Sequence, residues 1–127
     1  MAQKILIIED DLCLSTIFAR LLKQAGYETS HAETSNDGIA RALTERPGLI
    51  LTDLHLPDMI AVDAMLVLKN NPNTAHIPVV VLTADRSAEW KTKAIRAGAV
   101  EYRMKPLSAV DLIQLVSKFC PLLISEL

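Results

Sequence analysis

The chain has 127 residues, half of them hydrophobic and 22% charged, which points to one folded domain and excludes wholesale disorder. A formal net charge of −2 leaves no basic footprint for nucleic acid, and no apolar run approaches the ~18 residues of a membrane span. The start, MAQKILIIEDD, is too short and too acidic for a signal peptide, and the length leaves no room for a second output domain beside the first. Cys13 and Cys120 match no metal spacing and make no disulfide framework, as expected of reduced thiols in a cytoplasmic protein.

In chain order, short apolar runs alternate with helical patterns. Lys4–Ile8 is a continuous apolar run closed by acids and reads as a strand buried on both faces. Leu14, Ile17, Phe18, Leu21, Leu22 and Ala25 recur at helical spacing, with Gly26 as the stop. Tyr27–Ala32 is a weaker strand whose polar interruptions suit an edge. Ile39, Ala42 and Leu43 mark a second helix ended by Pro47-Gly48, and Leu49–Thr52 is the third strand. Pro57 opens a turn before a third helix from Ile60 to about Lys69. Pro78 introduces the strand Val79–Thr83, where a missing N–H does least harm. A fourth helix spans Ser87–Ala97 with Gly98 past its end, Val100–Met104 is the last strand, and Ser108 caps a fifth helix to about Phe119. Pro121 leaves an apolar tail, Leu122-Leu123-Ile124, too short for an anchor.

Five βα units in series specify a parallel sheet with helices on both faces and right-handed crossovers. In open sheets of this kind the site lies beyond the carboxyl ends of the strands, where strand order reverses. At those ends stand Glu9, Asp10 and Asp11 after the first strand, Asp53 after the third, Thr83 after the fourth and Lys105-Pro106 after the fifth. Each has an ordinary alternative: Asp10 or Asp11 as a helix cap, Asp53 as a turn residue, Thr83 as a strand residue or cap, and Lys105 as a solvated cation. The coincidence of several carboxylates, a hydroxyl and an ammonium on one rim is what points to chemistry.

The stretches KILIIEDD, LILTDLHLPDM, IPVVVLTA and GAVEYRMKPL, in this order and spacing, resemble the receiver domain of two-component response regulators. The resemblance runs from Lys4 to about Phe119. It implies a flavodoxin-like α/β three-layer sandwich, with a five-stranded parallel sheet in the order 2-1-3-4-5 and five helices. It implies that Asp53 accepts a phosphoryl group, that Glu9 and Asp10 with Asp53 and the main-chain carbonyl of His55 hold Mg²⁺, and that Thr83 and Lys105 hold the phosphoryl oxygens. It makes Tyr102 the switch aromatic and leaves Asp11 as a helix-start residue. The Lys105–Pro106 bond is often cis in this family. Ala61 departs from the pattern, where Gly is usual. Asp85 and the His55 side chain occupy positions that can modulate hydrolysis in the family, or are solvated surface. His31 and His76 are isolated and carry no metal or donor role.

The chemistry agrees with the resemblance. A carboxylate that takes a phosphoryl group must approach another anion. Glu9, Asp10 and Asp53 carry three negative charges, which one Mg²⁺ and Lys105 balance, and Mg²⁺ prefers oxygen ligands at an open rim. Phosphoryl transfer needs positioning and charge stabilisation, which metal, lysine and hydroxyl supply. The phosphorylated site gains about one negative charge, drawing Thr83 and Lys105 inward. Space vacated by Thr83 then admits an aromatic ring. The expected partners are a sensor histidine kinase or histidine phosphotransfer protein, docked on the first helix through Leu14 and Ile17 unless these are plain core. A second partner is a protein target on the fourth helix, fifth strand and fifth helix, where Trp90 is either a hot spot or a half-buried packing residue. The protein is not a turnover enzyme beyond assisting its own phosphorylation and dephosphorylation. Alternatives are a phosphorelay shuttle between histidine proteins and a constitutive pseudo-receiver, which intact Asp53, Thr83 and Lys105 oppose. A flavin binder is disfavoured by the acidic first loop, and direct DNA binding by the lack of chain for a helix-turn-helix.

Overall fold

A computed structural model describes residues 3–122. Five strands and five helices alternate: β1 (Lys4–Ile8), α1 (Leu12–Gln24), β2 (Glu28–Ala32), α2 (Ser35–Glu45), β3 (Leu49–Asp53), α3 (Ala61–Lys69), β4 (Val79–Thr83), α4 (Ala88–Arg96), β5 (Glu101–Met104) and α5 (Ala109–Phe119). The strands form one parallel sheet in the order β2-β1-β3-β4-β5. Strand order reverses at β1, so the crevice between the β1 and β3 ends is the natural place for a ligand.

The alternation of side chains along each strand builds two cores. Leu6 and Ile8 of β1 and Val79 and Val81 of β4 join Ala42, Met65, Leu68 and Ala94 on the face covered by α2, α3 and α4. Ile5 and Ile7, with Val80 and Leu82, join Phe18, Leu22, Leu112 and Val116 on the face covered by α1 and α5. Continuous apolar runs are therefore required in β1, β3 and β4. The edge strand β2, with the sequence Glu-Thr-Ser-His-Ala, is only half-buried.

The helix ends follow their side chains. Asp11 caps α1, its Oδ1 accepting the Leu14 N–H at 3.1 Å. Ser108 caps α5 through the Asp111 N–H. Gly26 and Gly98 take φ of 107° and 113°, a left-handed backbone that suits glycine just past a helix end. Four helix starts differ from the sequence expectation, among them α4, which begins at Ala88 with Ser87 as its cap. Helix α1 begins at Leu12, after the Asp11 cap; the exposed Leu12 lies off the apolar stripe and so is not marked by it. Helix α2 begins at Ser35, ahead of the Ile39 that opens its apolar pattern. Helix α3 begins at Ala61, with Ile60 as a cap that offers no side-chain bond. Of the apolar tail, Leu122 packs partly buried against the α1/α5 core, while Leu123 and Ile124 lie outside the described residues. No helix among the described residues is long and apolar enough to cross a membrane.

Candidate functional site

Because all five strands are parallel, the groups that follow them meet on one rim. Carboxylate oxygens of Glu9, Asp10 and Asp53 lie within 4.8 Å of one another. Glu9 is buried, Asp53 half-buried and Asp10 exposed, so the cluster opens from a fixed floor to solvent. Asp11, which follows the pair in sequence, is occupied by helix capping and stands outside the cluster.

Lys105 closes the other side. Its Nζ lies 2.8 Å from Glu9 Oε2 and 3.2 Å from Asp53 Oδ2. Burial alone lowers the ammonium pKa, but the Glu9 hydrogen bond and the two carboxylate charges outweigh it and hold it above the ordinary lysine value. Glu9 moves up as well, since its burial costs the anion more than Lys105 returns and Asp53 adds repulsion. The three carboxylates and one ammonium leave a charge of −2. An oxygen-only donor set of this size, open to water on one side and deficient by two positive charges, fits a hard divalent cation such as Mg²⁺.

Asp53 is aimed from both sides. Its Oδ1 accepts the Leu54 N–H at 2.7 Å and its Oδ2 faces Lys105. Thr83 stands at the end of the neighbouring strand, where Asp53 pairs with Leu82 in register. The threonine is buried, and its Oγ1 accepts the Asp85 N–H at 3.0 Å. The Lys105 N–H donates to the Thr83 carbonyl at 2.9 Å, so these two side chains are carried by directly bonded backbone. The Lys105–Pro106 bond is cis.

Tyr102, the aromatic that the resemblance makes the switch residue, lies inside the fold. It is only 8% exposed and belongs to the same core as the small side chains Ala94 and Ala99, which leave room for it. Its buried hydroxyl has no hydrogen-bond partner among the described residues. Burial, with the charges of Asp85 and Asp53, raises its pKa.

The side chains of His55 and Asp85, each read from sequence as modulator or solvated surface, meet each other. His55 Nε2–H donates to Asp85 Oδ2 at 2.7 Å, across the mouth of the site from the loop after β3 to the loop after β4. That bond leads the causes that hold the Asp85 carboxyl down at about 2. The His55 ring also meets Trp90 edge-on at 5.9 Å between centroids, and Trp90 packs half-buried against the α2/α3/α4 core with Lys93 over its ring. Two residues of this neighbourhood carry no signal in the sequence. His31 Nε2–H donates to the Glu9 carbonyl at 2.8 Å. Asp58 accepts the Ser35 and Asn36 N–H groups at the start of α2. Both act over more than 20 residues, with no local spacing to reveal them.

A void of about 10 Å³ lies beneath Glu9 and Asp53, lined mainly by Ile7, Ile8, Phe18, Leu51 and Leu82. Comparison with known proteins decides the family, since the model of the response regulator receiver domain matches residues 5–117. The chain belongs to the response regulator receiver domain family. This receiver is 32% identical over 113 residues to the phosphate regulon transcriptional regulatory protein PhoB of Pseudomonas aeruginosa, covering 89% of this chain and 49% of that protein. It thus spans about half the length of that regulator. It is 28% identical over 119 residues to the polar-differentiation response regulator DivK of Brucella anthropi, covering 94% of this chain and 97% of that one. Among solved structures, the receiver domain of the sensor histidine kinase PA1611 of Pseudomonas aeruginosa superposes with a TM-score of 0.86 at 24% identity, covering 94% and 98% of the two chains. That structure has a magnesium ion coordinated in its active-site cleft. The receiver is a module of two-component signalling with the phosphorylation-switched response regulator fold.

Proposed function

We propose that Asp53 of this receiver accepts a phosphoryl group from a phosphohistidine, with Mg²⁺ held by Glu9, Asp10, Asp53 and the His55 main-chain carbonyl. The observation that carries the reading is the convergence of three carboxylates and Lys105 at one rim. The magnesium ion coordinated in the active-site cleft of the PA1611 receiver supports Mg²⁺ as the cation at this rim.

Bound Mg²⁺ supplies positive charge to phosphoryl oxygens and to the acids that approach them. The chain's own groups do the rest. Leu54 N–H and Lys105 fix the Asp53 carboxylate, so that an oxygen of it meets the phosphorus in line with the leaving imidazole. The O–P bond forms as the P–N bond breaks; the electron pair stays on the imidazole nitrogen, which takes a proton from water. Lys105 and Thr83 then hold phosphoryl oxygens. To do so Lys105 gives up part of its contact with Glu9, and Thr83 Oγ1 turns from the Asp85 N–H. That movement pulls on the β4–α4 loop next to Tyr102 and Trp90, which links phosphorylation to the α4-β5-α5 face.

An acid cluster whose edge, at Asp10, is exposed to solvent suits a donor presented by another protein. On α1, Leu12 and Ile17 are 55% and 54% exposed, so Ile17 is free to meet a partner and is not a core residue, whereas Leu14 packs partly buried. We assign this surface to the histidine-bearing partner and the α4-β5-α5 surface to the phosphorylation-dependent target.

The test is transfer of radiolabelled phosphate from a phosphorylated histidine phosphotransfer protein in the presence of Mg²⁺. The reading predicts label on this protein that EDTA prevents and hydroxylamine removes, as it does from an acyl phosphate. Label that resists hydroxylamine, or that appears equally with EDTA, contradicts it.

A further inference from the structure

Helix α2 starts on four small or polar residues, Ser35-Asn36-Asp37-Gly38, and all four of its first N–H groups are satisfied. Asp37 N–H donates to Thr34 Oγ1 at 3.1 Å and Gly38 N–H to the Thr34 carbonyl at 2.9 Å. The other two bonds come from a distant loop. Ser35 N–H donates to Asp58 Oδ1 at 2.9 Å and Asn36 N–H to Asp58 Oδ2 at 2.8 Å. The buried Ser35 hydroxyl returns a bond to the Met59 carbonyl at 2.8 Å. A carboxylate here also meets the positive end of the helix. Partial desolvation opposes its ionisation, but the N–H groups of Asn36 and Ser35 outweigh it and hold Asp58 below the ordinary aspartate range.

The same turn is braced against the acid pair. Gly38 packs on Ile8, where a Cβ would lie 2.9 Å from Cγ1, and Ile8 immediately precedes Glu9. The Glu9 N–H donates to the Ala32 carbonyl at 2.9 Å. Residues 32–38 therefore hold both loops of the acidic rim: the one after β1 directly, and the one after β3 through Asp58 and Met59. The β3–α3 loop is tied at its base by Ala61 N–H to the Leu54 carbonyl at 2.8 Å, and at its tip by Asp58. His55 lies between these ties. Helix α3 brings no side-chain cap of its own to this loop, since its N-cap is Ile60.

We propose that Asp58 is a positioning residue for the metal site: by capping α2 with both carboxylate oxygens, it fixes the loop that carries the His55 main chain against the Glu9–Asp10 loop. This rests on the Mg²⁺ reading above. Asp58 belongs to neither the acid cluster nor the phosphoacceptor's contacts, and its effect on the metal is transmitted through the backbone.

The experiment compares Mg²⁺ affinity, by calorimetric titration of the folded protein, in wild type, Asp58→Ala, Asp58→Asn and Thr34→Ala. Thr34→Ala removes a cap from the same turn of α2 without touching the β3–α3 loop. Asp58→Ala is expected to weaken Mg²⁺ about tenfold, in line with other residues that orient ligands from behind. Asp58→Asn, which keeps one acceptor oxygen, should recover part of that loss. Thr34→Ala should lower thermal stability and leave Mg²⁺ affinity unchanged. Faster hydrogen exchange at the Ser35 and Asn36 amides should accompany Asp58→Ala. Wild-type affinity in Asp58→Ala, or equal weakening in Thr34→Ala, overturns the proposal alone. A wild-type protein that takes up no Mg²⁺ overturns the metal reading and this proposal together. If Asp58→Ala does not fold, Asp58→Asn carries the same comparison with Thr34→Ala.

Discussion

Asp10 offers the sharpest separation of function from stability. It is the exposed member of the acid cluster, and Asp11 already provides the cap of α1, so Asp10→Asn removes a charge and little else. Unit charges 4.8 Å apart repel by ~0.9 kcal/mol in a water-like medium and ~3.5 kcal/mol at an effective dielectric of 20. The exposure of Asp10 puts it near the lower figure. Two such neighbours, less the attraction to Lys105 that is also lost, leave about 1 kcal/mol of strain. Relief of it should raise the midpoint of metal-free unfolding by roughly 3–5 °C for a chain of this length. Metal binding moves the other way, because a divalent site loses an anionic ligand; a tenfold weaker affinity is ~1.4 kcal/mol. At saturating Mg²⁺ the wild type recovers that difference through linkage, and the two proteins should unfold together or the variant first. Thermal unfolding in EDTA and in excess Mg²⁺, paired with calorimetric titration, measures both quantities. A variant equally stabilised in both buffers, or destabilised in EDTA, refutes the assignment of Asp10 to the metal.

Lys105→Met leaves the buried Glu9 beside Asp53 without its cation; it should cost about 3 kcal/mol in EDTA, and urea titration with added Mg²⁺ should show part of this restored. Ile17→Ala should slow phosphoryl transfer from a histidine phosphotransfer protein while leaving the rate with acetyl phosphate unchanged, since the side chain is more than half exposed; equal slowing with both donors would indicate an effect on the fold. Gly38→Ala places a methyl against Ile8 and should destabilise by about 1–3 kcal/mol, read from the denaturation midpoint.

The parallel sheet is legible in the sequence because β1, β3 and β4 are buried on both faces and so read as unbroken apolar runs, while β2 shows its edge position in polar residues; the strand order comes from the resemblance to receiver domains and not from these patterns. The rim is legible for a similar reason: parallel strands put equivalent ends together, so the alternation of strands and helices is enough to group the residues that follow four separate strands. Where a stabilising contact comes from far along the chain, the sequence is silent. Ser35–Gly38 has the composition of a turn and is helical because Asp58, more than 20 residues away, satisfies its first two N–H groups. His55 and Asp85 each read as a modulator of hydrolysis or as solvated surface, and their pairing depends on how two loops face each other across the crevice. The depth of Tyr102 follows from small neighbours contributed by α4 and the turn after it, and no pattern local to β5 encodes it.

The central claim is that Asp53 is the phosphoacceptor. Intact-mass measurement after incubation with acetyl phosphate and Mg²⁺, on wild type and on Asp53→Asn, tests it most directly. The account predicts one added phosphoryl group on the wild type and none on Asp53→Asn. A phosphoryl group retained by Asp53→Asn, or a wild type that takes up none, would contradict it.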